Sequence, residues 1–369
     1  MNVEKNERGP KRKNQHSSRK HPSRSEFDFI DLIKSRALKS QRLTHAPNSS
    51  LITHHSSLLH GIGDDAAVIR QPRRNDLVVT SDLLIEDIDF RLEWTPPGLL
   101  GHKALAVSLS DIAAMGATPR YALLSIGIPK KIWKTDFVDE LYEGFFSLAE
   151  AHHIALIGGD VSRSPKHVII DSIVIGEVKR GHAILRSGAK PGDHIFVTGS
   201  LGGAAAGLKL LESGVRVTHK NPRSARAQPE QQILMKQLKP EPRVEWGKLL
   251  GERRLATAMI DVSDGLSSDL SHLCNESGVG AKVDLSRIPI EPTIDRLPSS
   301  LLDSQELAVN GGEDFELLFT LRPTVVNRVP PKLGGVTVTH IGDITRNRSI
   351  VVSDGSQVSS LPSSGFQHF

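Results

Sequence analysis

Carboxylates set in glycine-rich or polar surroundings recur along this chain. They are Asp64 and Asp65 in GIGDDAAV, Asp82 in VVTSDLL, and Glu86, Asp87 and Asp89 just after it. Asp111 follows in SLSDIAAMGA and Asp160 in LIGGDVSRS. Asp261 and Asp264 lie in IDVSDGLSSDL, and Glu313 and Asp314 in NGGEDFELLF. Two carboxylates 4 Å apart repel by about 4 kcal/mol at an effective dielectric of about 20. A fold that gathers several therefore calls for cations. Oxygen ligands without Cys or His beside them suit a hard ion such as Mg²⁺. Glycine beside the acids lets backbone approach a bound anion. Mg²⁺ with close backbone is a way of holding phosphates.

Familiar nucleotide motifs do not account for the pattern. Residues 61–66 match GxGxxA, but two carboxylates inside such a loop would repel a pyrophosphate, and no clear strand precedes it. Residues 202–209 approach a P-loop, yet Leu208 stands where the lysine belongs. That stretch reads instead as close helix packing or a helix N-terminus for an anion. Some acids have plainer readings. Asp64 suits a turn or N-cap. Asp269 reads as a solvated or capping side chain, Glu86 and Asp87 as solvating a turn, and Asp314 as orienting backbone beside Glu313.

The elements that must position these residues alternate between strand and helix, which indicates an α/β or α+β protein. Helices are expected over 27–38, 101–114, 135–149, 202–212 and 265–277. Strands are expected over 77–80, with Asp82 just beyond the end, and over 154–157, 168–178, 195–198, 258–262, 315–321 and 336–344. Residues 40–60 read as a loop and 214–232 as a polar, proline-marked surface insertion. The natural break falls near residue 185.

A chain of 369 residues has room for two or three domains. The net charge of +4 is misleading. Eight Lys and Arg within residues 1–24, against Glu4 and Glu7, put +6 on the tail and leave −2 on the rest. The tail has too few apolar residues to order itself, and its contact with nucleic acid through phosphates is the less expected reading. The single cysteine, Cys274, excludes an intrachain disulfide framework and a multi-Cys zinc site, and it fits a reducing, cytoplasmic compartment. No apolar run approaches the roughly 18 residues of a membrane span. The N-terminus lacks the apolar core of a secretory signal.

Taken in order, GIGDDAAVI, VVTSDLLIEDIDF, HKALAVSLSDIAAMGATP, LIGGDVSR, LRSGAKPGDHIFVTGSLGGAAAGL, IDVSDGLSSDL, NGGEDFELLFT and GFQHF resemble the thiamine-monophosphate kinases, within the aminoimidazole ribonucleotide synthetase superfamily. The resemblance spans residues 26–369. It implies a two-domain α/β (α+β) fold: a basic tail over 1–25, a metal- and ATP-binding N-terminal domain over 26–184, and a C-terminal α/β domain over 185–369. It implies a homodimer formed through the N-terminal sheet. It also implies transfer of the γ-phosphate of ATP to thiamine monophosphate, assisted by several Mg²⁺ ions.

By the same resemblance, Asp65, Asp82, Asp111, Asp160, Asp261 and Asp264 would hold Mg²⁺, with Thr80 and Ser81 lending oxygens. Gly159, Arg186 and Ser263 would contact ATP. Asp89, Glu313 and Phe366 would contact thiamine phosphate. Asp89 stands where His is common, Phe366 where Tyr or Trp is common, and Gln367 where Asp is common. No general base is expected, because a phosphate monoester has a second pKa of about 6 and is already an oxyanion at neutral pH. Two other readings are a different ATP-using enzyme of the superfamily, such as a selenophosphate or purine-pathway synthetase, and a non-catalytic nucleotide-binding protein.

Overall fold

The computed structural model describes residues 32–37, 39, 74–218, 228–297, 303–355 and 357–361, together with the backbone of two short paired strands, Leu58–His60 and Val68–Ile69. Residues 61–66, with Asp64 and Asp65, together with Phe366, Gln367 and the basic tail, lie outside the described residues. Residues 32–37 are helical, within the helix expected over 27–38.

The first sheet has four strands: β1 (Asn75–Ile85), β2 (Thr118–Pro129), β3 (Ala155–Ser164) and β4 (Ile169–Lys179). Their spatial order is β1-β4-β2-β3. β4 runs antiparallel to both neighbours, and β2 and β3 are parallel. β1 is longer than its apolar run suggested, so Asp82 lies inside the strand rather than beyond its end. Strand alternation then divides β1 into two faces. Thr80, Asp82 and Leu84 turn inward, while Leu77, Val79 and Leu83 are 46%, 61% and 54% exposed. β2 lies outside the strands expected from the sequence; its second residue, Pro119, and its last, Pro129, are residues that disfavour a strand.

Helix α1 (Pro97–Ala114) lies on the inward face of this sheet, and α2 (Phe137–Ala151) lies beyond it. Proline opens α1 at a position that needs no N–H donor. From Leu100 to Ala114 the only residue of α1 that is not buried is Asp111. A helix buried all round must meet its neighbours at close range. At the crossing with α2, a Cβ on Gly101 would lie 1.8 Å from the Leu141 carbonyl oxygen, and one on Gly144 would lie 1.7 Å from that of Gly98.

The second sheet is built from β5 (His194–Thr198), β6 (Ala256–Val262), β7 (Gly280–Asp284), β8 (Glu316–Leu321), β9 (Val336–Thr345), β10 (Ile350–Asp354) and β11 (Gln357–Ser360). The order is β11-β10-β7-β9-β5-β8-β6, with Lys332–Leu333 adding a short strand to β9. All pairings are antiparallel except β10 with β7. Helices α3 (Gly203–Glu212), α4 (Pro229–Leu238), α5 (Val244–Glu252), α6 (Leu266–Ser277) and α7 (Ser304–Asn310) complete this half. Residues 229–232, read as the end of a surface insertion, form the first turn of α4.

β8 is buried on both faces and joins two cores. Phe319 faces the core shared with α1, α2, α5 and the first sheet, where it stacks on Phe196 at 5.8 Å. Leu318 faces the other core, with Val197, Ile260, Leu270 and Cys274. Burial pushes the Cys274 thiol up to about 12. The site-bearing helix α1 is thus clamped between sheets, and its seat depends on the two glycines at α2. Gly144→Ala should destabilise the protein by about 1–3 kcal/mol, the usual cost of overpacking. A fall in the urea midpoint without a change in slope would show it, whereas an unchanged midpoint would contradict the close α1–α2 crossing.

Candidate active site

Three buried or half-buried carboxylates meet where α1 faces β1 and β6. Each is held by a hydroxyl. Ser108 Oγ donates to Asp82 Oδ2 at 2.6 Å and also to the Ser172 carbonyl oxygen at 3.0 Å. Ser110 Oγ donates to Asp261 Oδ2 at 2.7 Å, linking α1 to the second sheet. The Thr80 hydroxyl donates to Asp111. Residues 80 and 82 reach α1 together because they are two apart on a strand. Ser108 and Asp111 reach β1 together because they are three apart on a helix.

The electrostatics follow from this crowding. Burial, then Asp111, pushes the Asp82 carboxyl up to about 6 against the pull of Ser108. Burial and Asp111 push Asp261 up to about 7. Asp111 is itself raised by burial, and the Thr80 hydrogen bond and the Arg186 guanidinium offset part of that rise. Among the described residues these acids do not bring three ligand oxygens within 4.8 Å of one another. Each is satisfied by its own hydroxyl.

A cleft of about 420 Å³ opens beside them. Asp82, Asp89, Lys103, Ser263, Asp264 and Glu313 line its polar side. Lys103, buried on α1, pairs with Glu313 at 2.6 Å, and the Gln237 amide donates to the other Glu313 oxygen. Asp89 has one oxygen committed to its own turn, accepting from the Ile85 N–H at 2.7 Å. Glu313 and Phe315 have φ of 66° and 50°, and such non-glycine strain costs about 1–3 kcal/mol each. Hydrogen bonds from their N–H groups to the carbonyls of Ser263 and Val262, at 2.7 and 2.9 Å, hold this loop against the end of β6.

Two acids do structural work. Asp269 is buried, not solvated. Its Oδ2 accepts from the N–H groups of Asp264 and Gly265, at 3.1 and 3.0 Å, and so braces the loop carrying Ser263 and Asp264. Burial, then Asp261 and Asp264, push it up to about 8. Asp314 accepts from Gly202 N–H at 2.6 Å and Ala204 N–H at 3.0 Å, at the start of α3. The near P-loop at residues 202–209 therefore already holds a carboxyl group, and it is a side chain of the protein. Asp314 orients backbone, but that of α3 rather than its own loop.

The remaining expected residues are distributed around this centre. Arg186 sits in the segment between the sheets, near enough to lower both Asp111 and Asp261. Ser81 turns to the opposite face of β1, where its hydroxyl donates to Asp171 at 2.8 Å. Gly159 has φ 151°, and a Cβ there would lie 2.0 Å from the Leu124 carbonyl oxygen, so close packing of β3 on β2 already requires glycine. Asp160 is exposed on β3, at the sheet edge opposite β1. Lys103, Ser108, Ser110 and Gln237 were not singled out from the sequence. The available signal was a lysine and two serines within an otherwise small, apolar helix.

The fold agrees with comparison to known proteins. Residues 63–178 match the family model of the AIR synthase related protein N-terminal domain, and residues 190–355 that of the C-terminal domain. The two sheets thus define an AIR synthase-like architecture. Thiamine-monophosphate kinase of Bacillus subtilis (strain 168) is 35% identical over 349 residues, which is 93% of this chain and 99% of that protein. The crystal structure of thiamine-monophosphate kinase from Stenotrophomonas maltophilia K279a has a TM-score of 0.75 at 35% identity, covering 90% of this chain and 98% of its own. The structure of AaThiL complexed with AMPPCP and TMP has a TM-score of 0.69 at 29% identity, covering 93% and 97%. The chain belongs to the thiamine-monophosphate kinase family. Among the described residues, no helix is long and apolar enough to cross a membrane.

Asp82 and Asp261 also set a pH dependence. Their folded pKa values, about 6 and about 7, lie above the ordinary 3.8. The folded state therefore holds these protons longer than the unfolded chain does. Their contribution to stability is full below about pH 4 and is lost as pH rises through 6 and 7. In EDTA, Asp82→Asn should raise Tm at pH 8 relative to the parent and make little difference at pH 4.5. Thermal melts at both pH values check this, and a variant less stable at pH 8 would contradict it.

Proposed function

We propose that this chain transfers the γ-phosphoryl group of ATP to thiamine monophosphate, giving thiamine diphosphate and ADP. The observation that carries this reading is the group of buried and half-buried carboxylates, Asp82, Asp111 and Asp261, next to a cleft that Asp82, Asp89 and Glu313 line. The family relatives are thiamine-monophosphate kinases, and AaThiL binds AMPPCP and TMP together.

The donor set fits Mg²⁺. It consists of oxygens only, and its carboxylates are costly to ionise without a cation. Asp82, Asp111, Asp261 and Asp264 would hold the ions with Thr80, joined by Asp65; the Ser81 side chain faces away from this group, toward Asp171, and Asp160 lies at the far edge of the sheet. When bound, Mg²⁺ neutralises charge on the phosphates that must meet. Arg186, Ser263 and the Gly159 backbone are the contacts assigned to ATP. Asp89 and Glu313 present negative charge to the cationic thiazolium or the aminopyrimidine, and Phe366 an aromatic face. Lys103 and Gln237 fix the Glu313 carboxylate in place. The acceptor phosphate is already an oxyanion near neutral pH, so the residues position and shield rather than remove a proton.

A homodimer belongs to the same reading. Leu77, Val79 and Leu83 expose an apolar face on an edge strand, which a soluble monomer would leave uncovered. β3 lies three strand spacings from β1, about 14 Å. Two sheets packed face to face about a twofold axis along the strands would set the Asp160 edge of one protomer over the Asp82 edge of its partner.

A coupled ADP-release assay tests the chemistry. Thiamine monophosphate should support Mg²⁺-dependent turnover and free thiamine should not; equal rates with both would defeat the reading. Asp111→Asn should reduce kcat by on the order of 10²-fold while the fold persists, as for loss of a key electrostatic contact. Light scattering tests the assembly. The chain should run at twice its 40.2 kDa mass, and Val79→Lys should shift it toward monomer. A monomeric parent would rule the dimer out.

A further inference from the structure

The second sheet carries another group of ligand-type side chains, away from the acids of the cleft. His194 on β5, with His340 and Asp343 on β9, each offer one ligand atom, and all three atoms lie within 4.8 Å of one another. His194 Nδ1 is 2.5 Å from Asp343 Oδ1, and His340 Nε2 is 3.2 Å from the same oxygen. The two imidazole centroids are 4.6 Å apart. All three side chains are partly exposed, so an ion from solvent can reach them.

The backbone is shaped to make this grouping. Residues three apart on a regular strand face opposite sides of the sheet. His340 and Asp343 share a side because the β9–β5 pairing slips between His340 and Gly342. A bulge of this kind re-aims side chains. It is held from behind: Ile341 is fully buried, and a Cβ at residue 342 would lie 2.2 Å from the Lys282 carbonyl oxygen.

We propose that His194, His340 and Asp343 form a binding site for a borderline divalent transition ion, of the Zn²⁺ and Co²⁺ class. Two imidazole nitrogens and one carboxylate select such ions over Mg²⁺, and three protein ligands leave a further position for water. Without an ion the same atoms bond to each other, and His340 Nε2 also lies 2.8 Å from the Gly342 carbonyl oxygen. Arg287 Nη1 is 3.2 Å from His340 Nδ1. A guanidinium only donates, so Nδ1 accepts and the ring proton sits on Nε2. Coordination of the neutral imidazole through Nε2 requires the other tautomer, with the proton on Nδ1. Arg287 must then release the ring. Asp284, 3.3 Å from Arg287 Nε, gives the guanidinium another partner. Arg287 therefore opposes the metal, and the ion would clamp β5 to β9.

The test is a Co²⁺ titration of the full chain in excess Mg²⁺, added to compete for the oxygen ligands of the cleft. Visible absorption should report about one histidine-bound Co²⁺ per chain, displaced by Zn²⁺. His340→Gln and Asp343→Asn should each weaken binding by about tenfold or more, while Arg287→Ala should tighten it by a few fold. Retained Mg²⁺-dependent ADP release in these variants shows that they are folded. Should one fail to fold, the imidazole resonances of the parent protein decide the matter. Co²⁺ should broaden those of His194 and His340 first. Broadening confined to other histidines, absence of the visible bands, or equal affinity in folded variants would overturn the site.

Discussion

Burial of α1 on every side is the constraint on which the rest of the structure depends. The helix is held by α2 through paired glycines, by the first sheet on one flank and by α5 and the second sheet on others. A fully buried helix is ordinarily apolar all round. This one carries Lys103, Ser108, Ser110 and Asp111. Each polar group must therefore find a partner inside the protein, and the partners come from β1, β6 and the 311–315 loop. Satisfying one helix thus brings the two halves of the chain into a fixed relation.

The same arrangement divides the acids by task. Asp269 and Asp314 are turned inward onto backbone N–H groups and shape the loops. Among the described residues, Asp82, Asp111 and Asp261 are each hydrogen-bonded by a single hydroxyl, which leaves oxygen lone pairs available and keeps ionisation costly. A centre of this kind gives up stability when it is empty. The strained backbone at Glu313 and Phe315 points the same way: local cost accepted where geometry matters.

Much of the fold and part of the site were legible in the sequence. The ordered motifs pointed to the family, and four of the acids singled out, Asp82, Asp89, Asp264 and Glu313, line one cleft. Strands such as β8 and helices such as α6 were readable from apolar runs and periodicity. β2 was hidden by its two prolines, and the extent of β1 by Thr80, Ser81 and Asp82, polar residues in mid-strand. The partner of each acid could not be read at all. Ser110 meets Asp261 across 151 positions of sequence, a contact that only the packing of α1 decides. Nor could a local pattern show that Ser81 and Thr80, adjacent in sequence, serve opposite faces, since the register of β1 sets that choice.

Cys274 has a consequence unrelated to catalysis. It is the only thiol in the chain, and it lies in the core that belongs to the second sheet alone. Alkylating reagents attack the thiolate, which burial suppresses twice over, by blocking access and by raising the pKa. Uptake of such a label is therefore a clock for the opening of that core. It counts excursions of one half of the molecule while the other half stays silent, and no engineered probe is needed.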